Sequence, residues 1–114
     1  MEQMPLRLLG RLDAPSVVPP KLISQIRTYR DAVKFCWEAR RVRNMTRAQL
    51  AELAGLYASH VSCYLRDGKR QRDLPGAGIR GFQHACGNTA ISQWLALQAQ
   101  LTVVEEMQAE RLAA

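Results

Sequence analysis

The sequence contains no apolar run long enough to cross a membrane. Its first ten residues hold only a short Leu-rich stretch interrupted by Arg7, without the apolar core and small-residue cleavage site of an export signal. A cytoplasmic location is the expectation. Cysteine is scarce and odd in number: Cys36, Cys63 and Cys86 show no C-x-x-C spacing, which argues against a disulfide framework and against a zinc module. His84 and Cys86 are the one close His/Cys pair, and without a second pair no metal is expected. Aromatic residues make up only 6% of the chain, so Trp37 and Trp94, both at apolar helical positions, read as core anchors rather than as a stacking platform for bases. Acidic side chains are in the minority, ten against sixteen Lys and Arg. Repeats and low-complexity segments are absent.

What is present fits one compact domain. A chain of 114 residues with 47% hydrophobic and 23% charged residues is large enough for one core and too small for two. The net charge of +6 is unevenly spread. Residues 1–40 carry seven basic and four acidic side chains (+3), residues 41–80 eight and three (+5), and residues 81–114 one and three (−2). Basic charge concentrated in the middle third suits a polyanionic partner, because neutralising phosphates releases condensed counterions.

The punctuation and periodicity predict an all-α fold of about five helices. Pro15 and Pro19-Pro20 bound an N-terminal arm over residues 1–20, extended or carrying one short strand. Leu22, Ile26, Tyr29, Val33, Cys36 and Trp37 recur at three and four, predicting one amphipathic helix closed by Arg40, Arg41 and Arg43. Thr46 and Gln49 have the spacing of a capping box, so a second helix starts there and ends at Gly55. A third follows with Val61, Tyr64 and Leu65 inward and Ala58, Ser59, Ser62 and Cys63 outward. After a basic loop with Pro75 and Gly76, a short helix over 77–85 turns Ile79 and Phe82 inward and leaves His84 partly buried. Gly87 stops it, and Asn88 caps a last helix whose apolar positions are Ile91, Trp94, Leu95, Leu97 and Leu101. Residues 101–114 read both ways, since Thr102-Val103-Val104 favours strand and Glu105 onward favours helix.

The segment from Thr46 to Leu56, continued by Val61 to Leu65, resembles the helix-turn-helix of the lambda-repressor-like (Cro/CI, XRE-type) regulators. The physics of the pattern stands beside the name. Two helices crossing steeply need a small residue at closest approach, here Ala51, a turn residue, here Gly55, and an apolar wedge, here Leu56 and Val61. Thr46, Gln49, Ala51, Gly55 and Val61 are thus the structural positions of a motif spanning 46–66. The resemblance implies that Tyr57, Ala58, Ser59, His60 and Ser62 face base edges in the major groove, while Arg47, Arg66, Lys69, Arg70 and Arg72 lie near phosphates. The chain has Tyr57 where the family usually has a capping Ser or Thr, and the reading set holds no Arg, Asn or Gln.

Other constellations carry less. Gly76, Gly78 and Gly81 match G-x-G-x-x-G, but a basic turn with Pro75 precedes them where a dinucleotide site needs a strand, so they read as a hinge and helix start. Ser59, His60 and Ser62 point in different directions on a helix and lack an orienting carboxylate, so no enzyme activity is expected. The reading is a small transcriptional regulator that binds double-stranded DNA, more a repressor than an activator. It has a helical DNA-binding domain over 21–100, a C-terminal segment over 101–114 that serves homodimerisation, and no cofactor. The alternative is an antitoxin-like or adaptor protein whose helix-turn-helix scaffold docks another protein.

Overall fold

Proline and threonine punctuate the first third of the chain. Pro20 opens a single helical turn, α1 (Pro20–Ile23), where a missing amide costs nothing. Thr28 opens α2 (Tyr29–Glu38), its hydroxyl accepting the Asp31 amide at 3.1 Å. The single helix expected from Leu22 to Arg43 is therefore two. Thr28 is extended, and the carbonyl of Ile26, which a continuous helix would give to its own ladder, accepts the indole Nε1 of Trp94 at 2.9 Å. Leu22, placed on the apolar face by periodicity, is exposed on the far side of this break. The arginines after α2 behave as helix-end cations: Arg40 donates to the Trp37 carbonyl and Arg43 to the Glu38 carbonyl.

The structure, a computed structural model, describes residues 15–66, 68 and 70–113. Among them four further helices follow, α3 (Arg47–Ala54), α4 (Ala58–Leu65), α5 (Gly76–Cys86) and α6 (Ala90–Ala113), and no strand forms, so the fold is all-α as expected, with six helices where about five were predicted. α3 packs on α5, α2 on α6, and α4 on both α2 and α3. Val33, Cys36, Leu50, Val61, Phe82, Cys86 and Ile91 are the largest side chains wholly withdrawn from water. Each of the larger aliphatic and aromatic ones contributes about 1.5–3 kcal/mol of apolar burial.

Two expectations about α5 and its surroundings are corrected. The glycines of G-x-G-x-x-G start a helix as expected, Gly76 being the first residue of α5, but Gly78 and Gly81 lie inside it and form no hinge. A Cβ on Gly81 would stand 2.8 Å from the Ala54 carbonyl oxygen, and one on Gly78 would press on Leu56 and Leu74, so these glycines let α5 lie tightly against the end of α3. His84, expected partly buried, is exposed.

Residues 15–19 are extended and tied down. Ser16 forms an isolated parallel bridge with Asn88: its amide donates to Gly87 and its carbonyl accepts from Thr89. The Gln93 side chain donates from Nε2 to the Val18 carbonyl at 2.8 Å and accepts the Val18 backbone amide at Oε1 at 2.9 Å. Part of the expected arm is thus fixed to the body, and its first fourteen residues lie outside the described ones.

At the other end α6 runs unbroken through residue 101 to Ala113, so the open reading of Thr102-Val103-Val104 resolves as helix, with the Thr102 hydroxyl bonded back to the Gln98 carbonyl. Ala90, Ile91 and Trp94 are buried, but every residue from Ala99 to Ala113 is exposed. Leu95 and Leu101, expected to face the core, do not: Leu95 points away from the side of the helix on which Trp94 and Leu97 pack, and Leu101 lies beyond the end of the body.

Candidate nucleic-acid interface

The site starts from a local exchange of hydrogen bonds at residue 46. The Thr46 hydroxyl accepts the Gln49 amide at 3.1 Å and the Gln49 side-chain oxygen accepts the Thr46 amide at 2.9 Å, so two otherwise unpaired donors are satisfied as α3 begins. The helix ends just as sharply. Gly55 takes φ 70° and ψ 32°, and the Leu56 amide reaches back to the Ala51 carbonyl at 2.8 Å, the closure of a Schellman turn. Leu50 and Ala51 are buried under α3, Leu56 is half-buried, and Val61 is sealed beneath α4. Ala51 and Val61 therefore both belong to the buried core.

α4 starts without a side-chain cap. The Tyr57 carbonyl still accepts the amides of His60 and Val61, and the Tyr57 ring lies 75% exposed with its edge against the His60 imidazole, 5.1 Å between centroids. His60 in turn meets the ring of Tyr64 at 6.4 Å. A bulky aromatic thus takes the place of the capping hydroxyl, and stacking holds the first turn where a hydrogen bond otherwise would. Tyr57, Ala58 and Ser59 are exposed; Ser62 and Cys63, placed outward by periodicity, and His60, placed there by the resemblance, are half-buried, so the outward face is narrower than expected.

The basic residues gather at the two ends of the motif. Arg47, exposed, is the first residue of α3; Arg66, Arg70 and Arg72, all exposed, follow the end of α4, and Lys69 lies outside the described residues. Gly68 and Arg70 both adopt positive φ, 92° and 62°. For arginine this is an uncommon conformation, tolerated where the surrounding chain is fixed on both sides.

What fixes it is Arg30, which no local pattern singles out. One guanidinium nitrogen donates to the carbonyls of Cys63, Tyr64 and Arg66 at 3.3, 3.1 and 2.8 Å; the other donates to the Arg72 carbonyl at 2.8 Å and stands 3.7 Å from Asp73. Its neighbour Tyr29 donates its hydroxyl to the Leu74 carbonyl at 2.6 Å, and burial, with Asp73 nearby, pushes that phenol above its usual pKa. From the second turn-forming position of α2, one cation thus collects the last carbonyls of α4 and both ends of the loop. The loop's own arginines keep their side chains at the surface.

The remaining chemistry is quiet. Cys36 and Cys86 are buried and adjacent; hydrogen bonding to Cys86, then burial, hold the Cys36 thiol far above its ordinary pKa and so protonated. Among the described residues no group of three His, Cys, Asp or Glu converges as metal ligands would, and no helix is long and apolar enough to cross a membrane. Comparison with protein-family models, with curated proteins and with solved structures returned no match.

Proposed function

We propose that this chain is a small, cofactor-free transcriptional regulator of the lambda-repressor-like helix-turn-helix type, which binds double-stranded DNA in the cytoplasm as a homodimer. The observation that carries the reading is the α3–Gly55–α4 unit. A capped helix, a left-handed glycine and a second helix present Tyr57, Ala58 and Ser59 to solvent, with exposed arginines at both ends. In such a docking the start of α4 enters the major groove, and Arg47, Arg66, Arg70 and Arg72 meet the backbone on either side. Ser59 can accept from or donate to either kind of base pair, Ala58 can touch a thymine methyl, and the half-buried His60 and Ser62 border this reading edge.

The test is a salt series on duplex DNA. Four to six phosphate contacts per subunit give a log–log slope of about −4 to −5. Selection of bound fragments from random duplex, followed by that titration, returns a near-palindromic site if the reading holds. Binding that is absent at low salt, or indifferent to it, overturns it. One observation favours the adaptor alternative: the apolar residues of α6 beyond Ala99 are exposed. A chain that ignores DNA yet assembles through α6 would be of that kind.

A further inference from the structure

The second half of α6 is an amphipathic helix whose residues from Ala99 to Ala113 are all exposed. At 100° per residue, Leu97, Leu101 and Val104 form one stripe, flanked by Met107 and Leu112, and this stripe continues the face on which Ala90 and Trp94 meet the body. Past Ala99 the helix extends by about 20 Å with all side chains in water. A lone segment of fifteen residues is marginal as a helix unless its apolar face is covered. The segment is also acidic: Glu105, Glu106 and Glu110 outweigh Arg111 in a chain that is basic elsewhere.

A complementary surface lies on the same protein. Between α3, α5 and the turn before α3, the apolar side chains of Val42, Met45 and Leu53 and the small Ala77 line an open groove of about 580 Å³, with Arg80 and His84 along its α5 rim. It continues past Met45 as a second hollow of about 390 Å³ edged by Gln49 and Glu52. Val42 and Leu53 are 49% and 66% exposed, large apolar side chains that a soluble surface rarely leaves side by side without use. The groove and the tail match in polarity, since the basic rim of one meets Glu105 on one flank of the apolar stripe of the other, while Glu52 on the opposite rim suits Arg111 on the other flank. The tail cannot turn back to its own groove, because α6 is continuous from Ala90 and every tail residue stays exposed.

We infer that two copies exchange tails, the C-terminal half of α6 of each lying in the Val42–Met45–Leu53–Ala77 groove of the other. Reciprocal exchange closes with two-fold symmetry and makes the contact twice. That brings a four-turn helix in a shallow groove into the size class of specific interfaces, about 1,200 Å² or more in total. The exchange gives the proposed homodimer a surface, and it stands or falls without DNA.

Complementation of two variants of the full chain tests it by sedimentation equilibrium. The tail variant carries Leu101→Asp and Val104→Asp; the groove variant carries Val42→Asp and Leu53→Asp. All four positions are exposed in the single chain, so folding should survive, with circular dichroism as the control. Each variant alone should dimerise about a hundredfold more weakly than the parent. Mixed one to one, they should form a heterodimer at least about tenfold tighter than either homodimer, because one intact tail then meets one intact groove. A groove variant that dimerises like the parent would mean that α6 pairs with α6, and the exchange is wrong. So would a mixture no tighter than its components, or a parent chain still monomeric at about 100 µM, which leaves the tail to a different protein.

Discussion

Arg30 and Gly81 shape the candidate interface from opposite directions, one by gathering carbonyls and the other by having no side chain at all. Replacing Arg30 with Met should cost about 2–3 kcal/mol in urea denaturation, since several carbonyls lose a charged donor in a partly buried place. Arg30→Lys should recover less than half of that, because a single ammonium cannot span residues 63 to 72 as the guanidinium fork does. Gly81→Ala should cost about 1–3 kcal/mol through its contact with the Ala54 carbonyl. Gly55→Val should cost a similar 1–3 kcal/mol for a different reason: there is open space around its Cβ position, but φ 70° strains a β-branched residue. Thermal melts of both should fall, and a Gly55→Val protein that melts like the parent would remove the turn from the motif. Gly55 was legible because its cause is local, a helix that has to stop. Arg30 and Gly81 were not, since their partners lie 33 to 42 residues away for one and on another helix for the other.

At the scale of elements, the proposed function assigns reading to α4 and gripping to the loop after it. Ser59→Ala with Ser62→Ala should weaken binding to a selected site far more than to random duplex. Arg70→Ala and Arg72→Ala should weaken both DNAs alike and lower the salt slope by about one unit each. The operator-to-random ratio across a salt series separates the two classes, and a ratio unmoved by the serine pair means that α4 is not the reader. Ser62 should contribute the smaller share of that pair, being half-buried. Elements bounded by their own side chains were readable in advance: the Thr46–Gln49 exchange, the stop at Gly87, and the Asn88 side chain that accepts the Ala90 amide. The break between α1 and α2 was not, because Thr28 looks like one polar position on a periodic face until Trp94 claims the Ile26 carbonyl. Nor was the full length of α6, where the strand preference of Thr102, Val103 and Val104 yields to a helix already running.

Across the whole molecule, sequence periodicity conveyed the fold class and most of the core, while the way the ends are secured depends on contacts that no window of neighbouring residues contains. The joining of residues 15–19 to the α5–α6 junction is the clearest case. Ser16 and Val18 meet Gly87, Thr89 and Gln93 over separations of more than seventy residues. Gln93→Ala removes both side-chain bonds to Val18 and should cost about 1–2 kcal/mol. The amides of Ser16, Val18 and Thr89 should then lose hydrogen-exchange protection as a group, ahead of those in α2 and α5. Such distant pairing has a kinetic consequence. Closing so long a loop is worthwhile only after the helices between have docked, so the segment joins after the folding barrier has been crossed. Stopped-flow traces of Gln93→Ala should show an unchanged refolding rate and an unfolding rate raised about 5- to 30-fold, so that this short extended segment governs how long the folded protein lasts rather than how quickly it forms.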